Sequence, residues 1–152
     1  MPDKVTALLI FHQTTPLSDI EAALEKLAIR TKHAQTLAEA RHALSRVNPP
    51  LLAFTESKLP DGNWSDVLSL SQSASSPVNV IVVGREIDTR LYASAIEIGA
   101  FDFIAPPFEA VDLAHVVRCA ADNALARRGA AKLPRATAEK LLPSAIKSLG
   151  NA

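Results

Sequence analysis

The chain has 152 residues, 48% of them hydrophobic and 21% charged, with a formal net charge of zero. That length supports one domain with a core of its own, and the composition is that of a soluble globular protein. No apolar run reaches the roughly 20 residues that span a bilayer, the opening MPDKVTALLIF is too short and too acidic at Asp3 for a secretory signal, and the single cysteine excludes an internal disulfide and a zinc cluster. A cytoplasmic location is expected.

Charge is unevenly spread. Of 16 basic and 16 acidic residues, six basic ones (Arg127, Arg128, Lys132, Arg135, Lys140 and Lys147) and one acid, Glu139, lie from Arg127 onward. An acidic domain therefore carries a basic tail, which reads as a solvated linker or a polyanion-binding arm. No aromatics are interleaved with these charges, so nucleic acid is not an expected partner.

In chain order, VTALLIF (5–11) has the pattern of a buried strand. PLSDIEAALEKLAI follows as an amphipathic helix opened by Pro16 or Ser18, with Ile20, Leu24 and Leu27 on one face. Thr31–Leu37 alternates as a short edge strand, and Ala38–Val47 is a helix stopped by NPP. Leu51–Phe54 is a strand apolar on both faces, running on to Glu56 and the turn LPDG. WSDVLSLSQ is helical despite its serines. VNVIVVG (78–84) is a strand, TRLYASAIEIG a helix ended by Gly99, and AFDFIA (100–105) a strand. After the turn PPF comes a long helix, EAVDLAHVVRCAADNALARR, in whose apolar pattern Cys119 reads as a core residue. The remaining residues hold only short helical fragments around Pro134 and Pro143. The expected boundaries are a domain at 1–128 and a basic tail or linker at 129–152.

Strict β-α alternation with apolar strands predicts a parallel sheet covered by helices on both faces. Ligands of such sheets bind at the carboxyl ends of the strands. The tips to inspect are His12-Gln13, Glu56, Gly84-Arg85 and Ala105-Pro106. There is no GxGxxG after the first strand and no P-loop, which argues against a nucleotide enzyme. His33, His42 and His115 lie on scattered elements without metal-ligand spacing.

ESKLPDG, PVNVIVVG and IGAFDFIAPPF, in this order and spacing, resemble the receiver domains of bacterial response regulators, over about Val5 to Ala126. The resemblance implies a five-stranded, flavodoxin-like sheet of order 2-1-3-4-5. It also implies a phosphoacceptor aspartate four residues before the proline of the turn, where this chain has Glu56. Two Mg²⁺-binding acids correspond to His12 and Gln13, a hydroxyl residue to Gly84, and a lysine to Pro106. None of these five positions keeps the family's residue. One carboxylate beside a histidine and an amide is a poor site for a hard cation, and phosphoryl transfer needs fixed positive charge that Gly84 and Pro106 do not supply.

The expected function is a degenerate, phosphorylation-independent receiver. It would be a protein-interaction module of two-component signalling, not an enzyme, with no cofactor and no metal. Its partner would be an output domain, a histidine kinase or another regulator. The alternatives are a working phosphoacceptor with an atypical site and a small hydrolase using His12 and Glu56. Glu56 is a standing imitation of a phosphorylated aspartate, or a solvated carboxylate. Phe103, at the family's signalling aromatic, Trp64, after the PDG turn, and Arg118, on the last helix, are the candidate interaction surface. A homodimer would use the fourth helix, fifth strand and fifth helix. By the resemblance, the bond before Pro107 is cis.

Overall fold

The computed structural model of the chain describes residues 5–13 and 17–132. Five parallel strands, β1 (Thr6–Ile10), β2 (Arg30–Ala34), β3 (Leu52–Glu56), β4 (Asn79–Val83) and β5 (Asp102–Ile104), form one sheet in the order 2-1-3-4-5. Between them run α1 (Leu17–Lys26), α2 (Leu37–Leu44), α3 (Trp64–Gln72) and α4 (Thr89–Ile98), and α5 (Ala110–Lys132) closes the fold. The expected architecture and strand order are found. One addition is a two-residue antiparallel hairpin, Lys58–Leu59 with Gly62–Asn63, built on the LPDG turn after β3.

The alternation of side chains along each strand sorts the core into two layers. Ala7, Leu9, Leu52, Phe54, Ile81 and Val83 meet Ile20 and Leu24 of α1 and Leu113, Val117, Ala120 and Ala124 of α5. Leu8, Ile10, Ala53, Val80, Val82 and Phe103 meet Ala40 and Leu44 of α2, Val67 and Leu68 of α3, and Ala95 of α4. Both faces of the central strands are thus removed from water. Full burial of each large apolar side chain contributes about 1.5–3 kcal/mol. Polar side chains with room to act are left at the strand tips.

Capping explains why α3 forms despite its serines. Asn63 accepts from the Ser65 and Asp66 N–H groups, and Asp66 accepts in return from the Asn63 N–H at 3.0 Å, a capping box. Thr36 caps α2 by accepting from the Glu39 N–H, and Asp88 caps α4 by accepting from the Arg90 and Leu91 N–H groups. Gly99 ends α4 at φ 123°, a conformation that L side chains rarely adopt.

The last helix differs from expectation in two respects. Its buried stripe is Leu113, Val117, Ala120 and Ala124, so Cys119 falls outside it and is exposed rather than in the core. Arg127 and Arg128, counted with the basic tail in the sequence, are bound to the sheet instead. The Arg127 guanidinium donates to Asn79 Oδ1 at 2.7 Å, and Asn79 Nδ2 donates to the Ala120 carbonyl at 2.8 Å. Arg128 donates to the carbonyls of Pro77, Pro49 and Pro50 at 2.8–3.0 Å, at the amino ends of β3 and β4. The helix runs across residue 128 to Lys132. The expectations for Pro16 and for residues 133–152 lie outside the described residues.

Asn79 is 4% exposed and is bonded to both the carbonyl and the guanidinium. Asn79→Ala leaves these groups without their partner and is expected to lower the unfolding free energy by about 1–3 kcal/mol, measured by urea denaturation.

Candidate functional site

The carboxyl ends of β1, β3, β4 and β5 meet at one edge, and β3 delivers Glu56 there. Thr55 before it is fully buried, and Glu56 is half-buried as the strand emerges. Its carboxylate turns toward β1. Oε1 accepts the main-chain N–H of His12 and that of Gln13, the latter at 3.0 Å. The side chains of His12 and Gln13 are exposed. The Gln13 side-chain oxygen in turn accepts from Arg85 of the β4 tip at 3.0 Å. Glu56 therefore ties the loop after β1 to the β3 tip, and Arg85 ties that loop to β4.

A Mg²⁺ ion does not fit this arrangement. Such an ion takes oxygen ligands in near-octahedral geometry, commonly from more than one carboxylate or with phosphate oxygens. Among the described residues at the tips of β1 and β3, Glu56 is the one carboxylate, and its Oε1 is engaged by two N–H donors. Among the described residues, no three His, Cys, Asp or Glu side chains converge on a point that could hold a metal. Nor is there a His12–Glu56 dyad: the main-chain N–H of His12 meets the carboxylate, not the imidazole. Beyond Glu56 the cleft is lined by charges of both signs, Lys58 and Arg85 with Glu86 and Asp88.

At the β4 tip, the absence of a side chain at Gly84 has a steric cause. A Cβ built on Gly84 would lie 2.6 Å from Phe103 Cζ and 3.0 Å from Cε2. The Phe103 ring, 8% exposed, packs inward from β5 into the space a hydroxyl residue would need. Tyr92 of α4 meets the ring edge-on, with centroids 6.2 Å apart. Phe103 is thus a buried packing residue and not a free contact surface. On the adjoining face Tyr92, Ile96 and Val111 are exposed instead.

Trp64 is half-buried at the start of α3 and packs on the α2–α3 layer. Arg118 lines a groove between α1 and α5 with Asp19 and Lys26, so it stands apart from the face formed by α4, β5 and α5. The Pro106–Pro107 bond is cis, as the resemblance implied. Sequence reasoning missed Asp61 of the LPDG turn, whose carboxylate accepts the N–H groups of Leu37 and Ala38 at 2.7 and 3.0 Å and so caps α2 from a distant loop. The Leu37 hydrogen bond, aided by that of Ala38, holds the Asp61 carboxyl below its ordinary value.

Two expectations follow. Gly84→Ser should cost about 1–3 kcal/mol through overpacking against Phe103. The cost should shrink in a Phe103→Leu background, giving a coupling of about 0.5–3 kcal/mol in a double-mutant cycle by denaturant unfolding. For Asp61, a lowered folded pKa means that its ionised form stabilises the fold above the unfolded value of about 3.9, and that this contribution is lost as pH falls through the folded pKa. Asp61→Ala should therefore lower the melting temperature at pH 7, and the gap to the parent should narrow in melts taken below about pH 4.

No family model matches the chain. Its sequence is 27% identical over 112 residues to the photosynthetic apparatus regulatory protein RegA of Cereibacter sphaeroides, covering 73% of this chain and 60% of RegA. It is 32% identical over 116 residues to the response regulator protein PilR of Pseudomonas aeruginosa, covering 75% of this chain and 25% of PilR. The chain thus spans only part of the length of these relatives. Among solved structures, it resembles the signal receiver domain of a LuxO repressor protein from Vibrio parahaemolyticus, with a TM-score of 0.71 at 24% identity, over 80% of this chain and 93% of that one. It also resembles the receiver domain of an HD domain-containing protein from Pseudomonas fluorescens, with a TM-score of 0.75 at 21% identity, over 88% of this chain and 96% of that one. The chain thus has the receiver fold of these structures, and the relatives its sequence matches are regulatory proteins, one of them named a response regulator.

Proposed function

We propose that the chain is a degenerate receiver that works without phosphorylation, as a protein-interaction module of bacterial two-component signalling in the cytoplasm. The observation that carries this reading is the Glu56 carboxylate, whose Oε1 is engaged by two main-chain hydrogen bonds that hold the loop after β1. Glu56 then acts as a clamp and not as a copy of a phosphorylated aspartate. The inward Phe103 ring, kept there by Gly84, supports a face whose shape does not wait for a signal. That face, with Tyr92, Ile96 and Val111 exposed, offers apolar contacts to an output domain, a kinase, another regulator or a second copy. In this reading residues 1–128 are the module and 129–152 its tail, and the chain catalyses no reaction.

A working phosphoacceptor is the second reading, favoured by the carboxylate retained at the β3 tip. Incubation with acetyl phosphate and millimolar Mg²⁺, followed by intact mass, separates the two. The expected result is no mass gain, and no Mg²⁺-dependent change in melting temperature or Trp64 fluorescence. A stable gain of one phosphoryl group that is lost in Glu56→Gln would establish the second reading. Turnover of a small ester would point to the hydrolase.

A further inference from the structure

In the strand order 2-1-3-4-5, β2 is an edge that pairs with β1 alone. The Arg30 N–H donates to the Val5 carbonyl, and the Ala34 carbonyl accepts from the Phe11 N–H, so residues 30, 32 and 34 turn their main-chain groups toward β1. Successive residues of a strand aim these groups to opposite sides, which points the N–H and C=O of Thr31 and His33 outward. The next outward N–H, that of Gln35, is answered by Glu39 Oε2 at 2.7 Å. Two donors and two acceptors therefore stand on a sheet edge that no strand of the described residues covers.

The charge around this edge is unlike that of the rest of the domain. Before Arg127 the chain has ten Lys and Arg against fifteen acids, yet Arg30, Lys32, Arg41 and Arg46 fall within 17 residues that hold one acid, Glu39. His33 and His42 lie in the same span. Lys32, His42 and Arg46 are exposed and line one groove between β2 and α2, with Leu8 and Ala43 as its apolar part. Glu39 lines it too, but its carboxylate is held by the Gln35 N–H and the Thr36 hydroxyl. His33 meets Glu21 of α1 at 3.6 Å, and the charge of Arg41 acts on Asp61.

We propose that the β2 edge and the β2–α2 groove dock an acidic, extended segment of a partner protein, which adds to the sheet as a further strand. Strand addition takes its affinity from main-chain hydrogen bonds and its specificity from alternate side chains. Here alternate carboxylates meet Lys32, His42 and Arg46. Phosphates of a nucleic acid or a lipid surface only accept hydrogen bonds, whereas this edge also presents carbonyls that need a donor, and a peptide strand supplies both. A second copy of β2 is disfavoured, because two-fold pairing sets Lys32 and its cationic neighbours against themselves. The surface is separate from the strand tips and from α4, so it does not depend on how Glu56 is used.

The test is fluorescence anisotropy of the full chain with a labelled octapeptide of alternating Glu and Val. Saturable one-to-one binding that weakens with added salt is expected. Lys32→Glu and Arg46→Glu should each lower affinity roughly tenfold or more, with unchanged thermal melts showing intact folds. Arg118→Glu on α5 and the tail variant Lys140→Glu/Lys147→Glu should bind as the parent does. In hydrogen exchange read by NMR, the peptide should slow the Thr31 and His33 amides. The same peptide N-methylated throughout should not bind. Absence of binding, full affinity in both groove variants, loss in either control, unslowed exchange, or binding of the N-methylated peptide would overturn the proposal. Equal displacement by an oligothymidylate of the same charge would overturn the peptide as the occupant.

Discussion

The Glu56 carboxylate, shared between the main-chain N–H groups of His12 and Gln13, governs the strand-tip edge. Two main-chain donors that would otherwise point into the cleft are answered from within the chain. A hydrogen bond to a charged acceptor contributes more than a neutral one, and a divalent ion would have to compete with both. The extra methylene of glutamate over aspartate gives the side chain reach across to the neighbouring strand's loop. The residue type at position 56 and the conformation of the loop after β1 are therefore one feature. Arg85 extends the tie to the β4 tip through Gln13.

The second constraint is steric. Phe103 and Gly84 fill one volume between them, and the edge-on contact with Tyr92 carries that packing out to α4. Close-packed interiors resist added volume, so a side chain at 84 would force the ring at 103 to shift from its inward position. What looked in the sequence like the loss of a hydroxyl is also the gain of a place for an aromatic ring.

Local pattern made the elements legible. Apolar runs marked four of the sheet strands, alternation at Thr31–Leu37 marked the edge strand found at Arg30–Ala34, and the capped WSDVLSLSQ segment was found at its observed bounds, Trp64–Gln72. Strand order came from the resemblance, since alternation alone sets only the class. The unread parts all depend on partners far apart in the chain. Glu56 meets residues 43 and 44 positions away, Asp61 reaches back 24 and 23 to cap α2, and Arg128 binds carbonyls 51 to 79 positions upstream. The PDG turn was visible as a turn, but nothing local to it names its target. Cys119 was placed in the core because its neighbours are apolar; the stripe Leu113–Val117–Ala120–Ala124, counted at helical spacing, would have excluded it.

Arg128 has a geometric consequence for whatever follows it. Its hydrogen bonds to the Pro49, Pro50 and Pro77 carbonyls fix the rotation of α5 about its own axis at the end of the sheet opposite the strand tips. From that anchor the helix continues to Lys132, about one further turn at 3.6 residues each. The azimuth at which the chain leaves the domain is thus set relative to the sheet. Each residue added or deleted between the anchor and a following helical element would swing that element by about 100° and advance it by about 1.5 Å. For a helical continuation, the spacing after Arg128 would act as a phase, with insertions read by angle rather than by length.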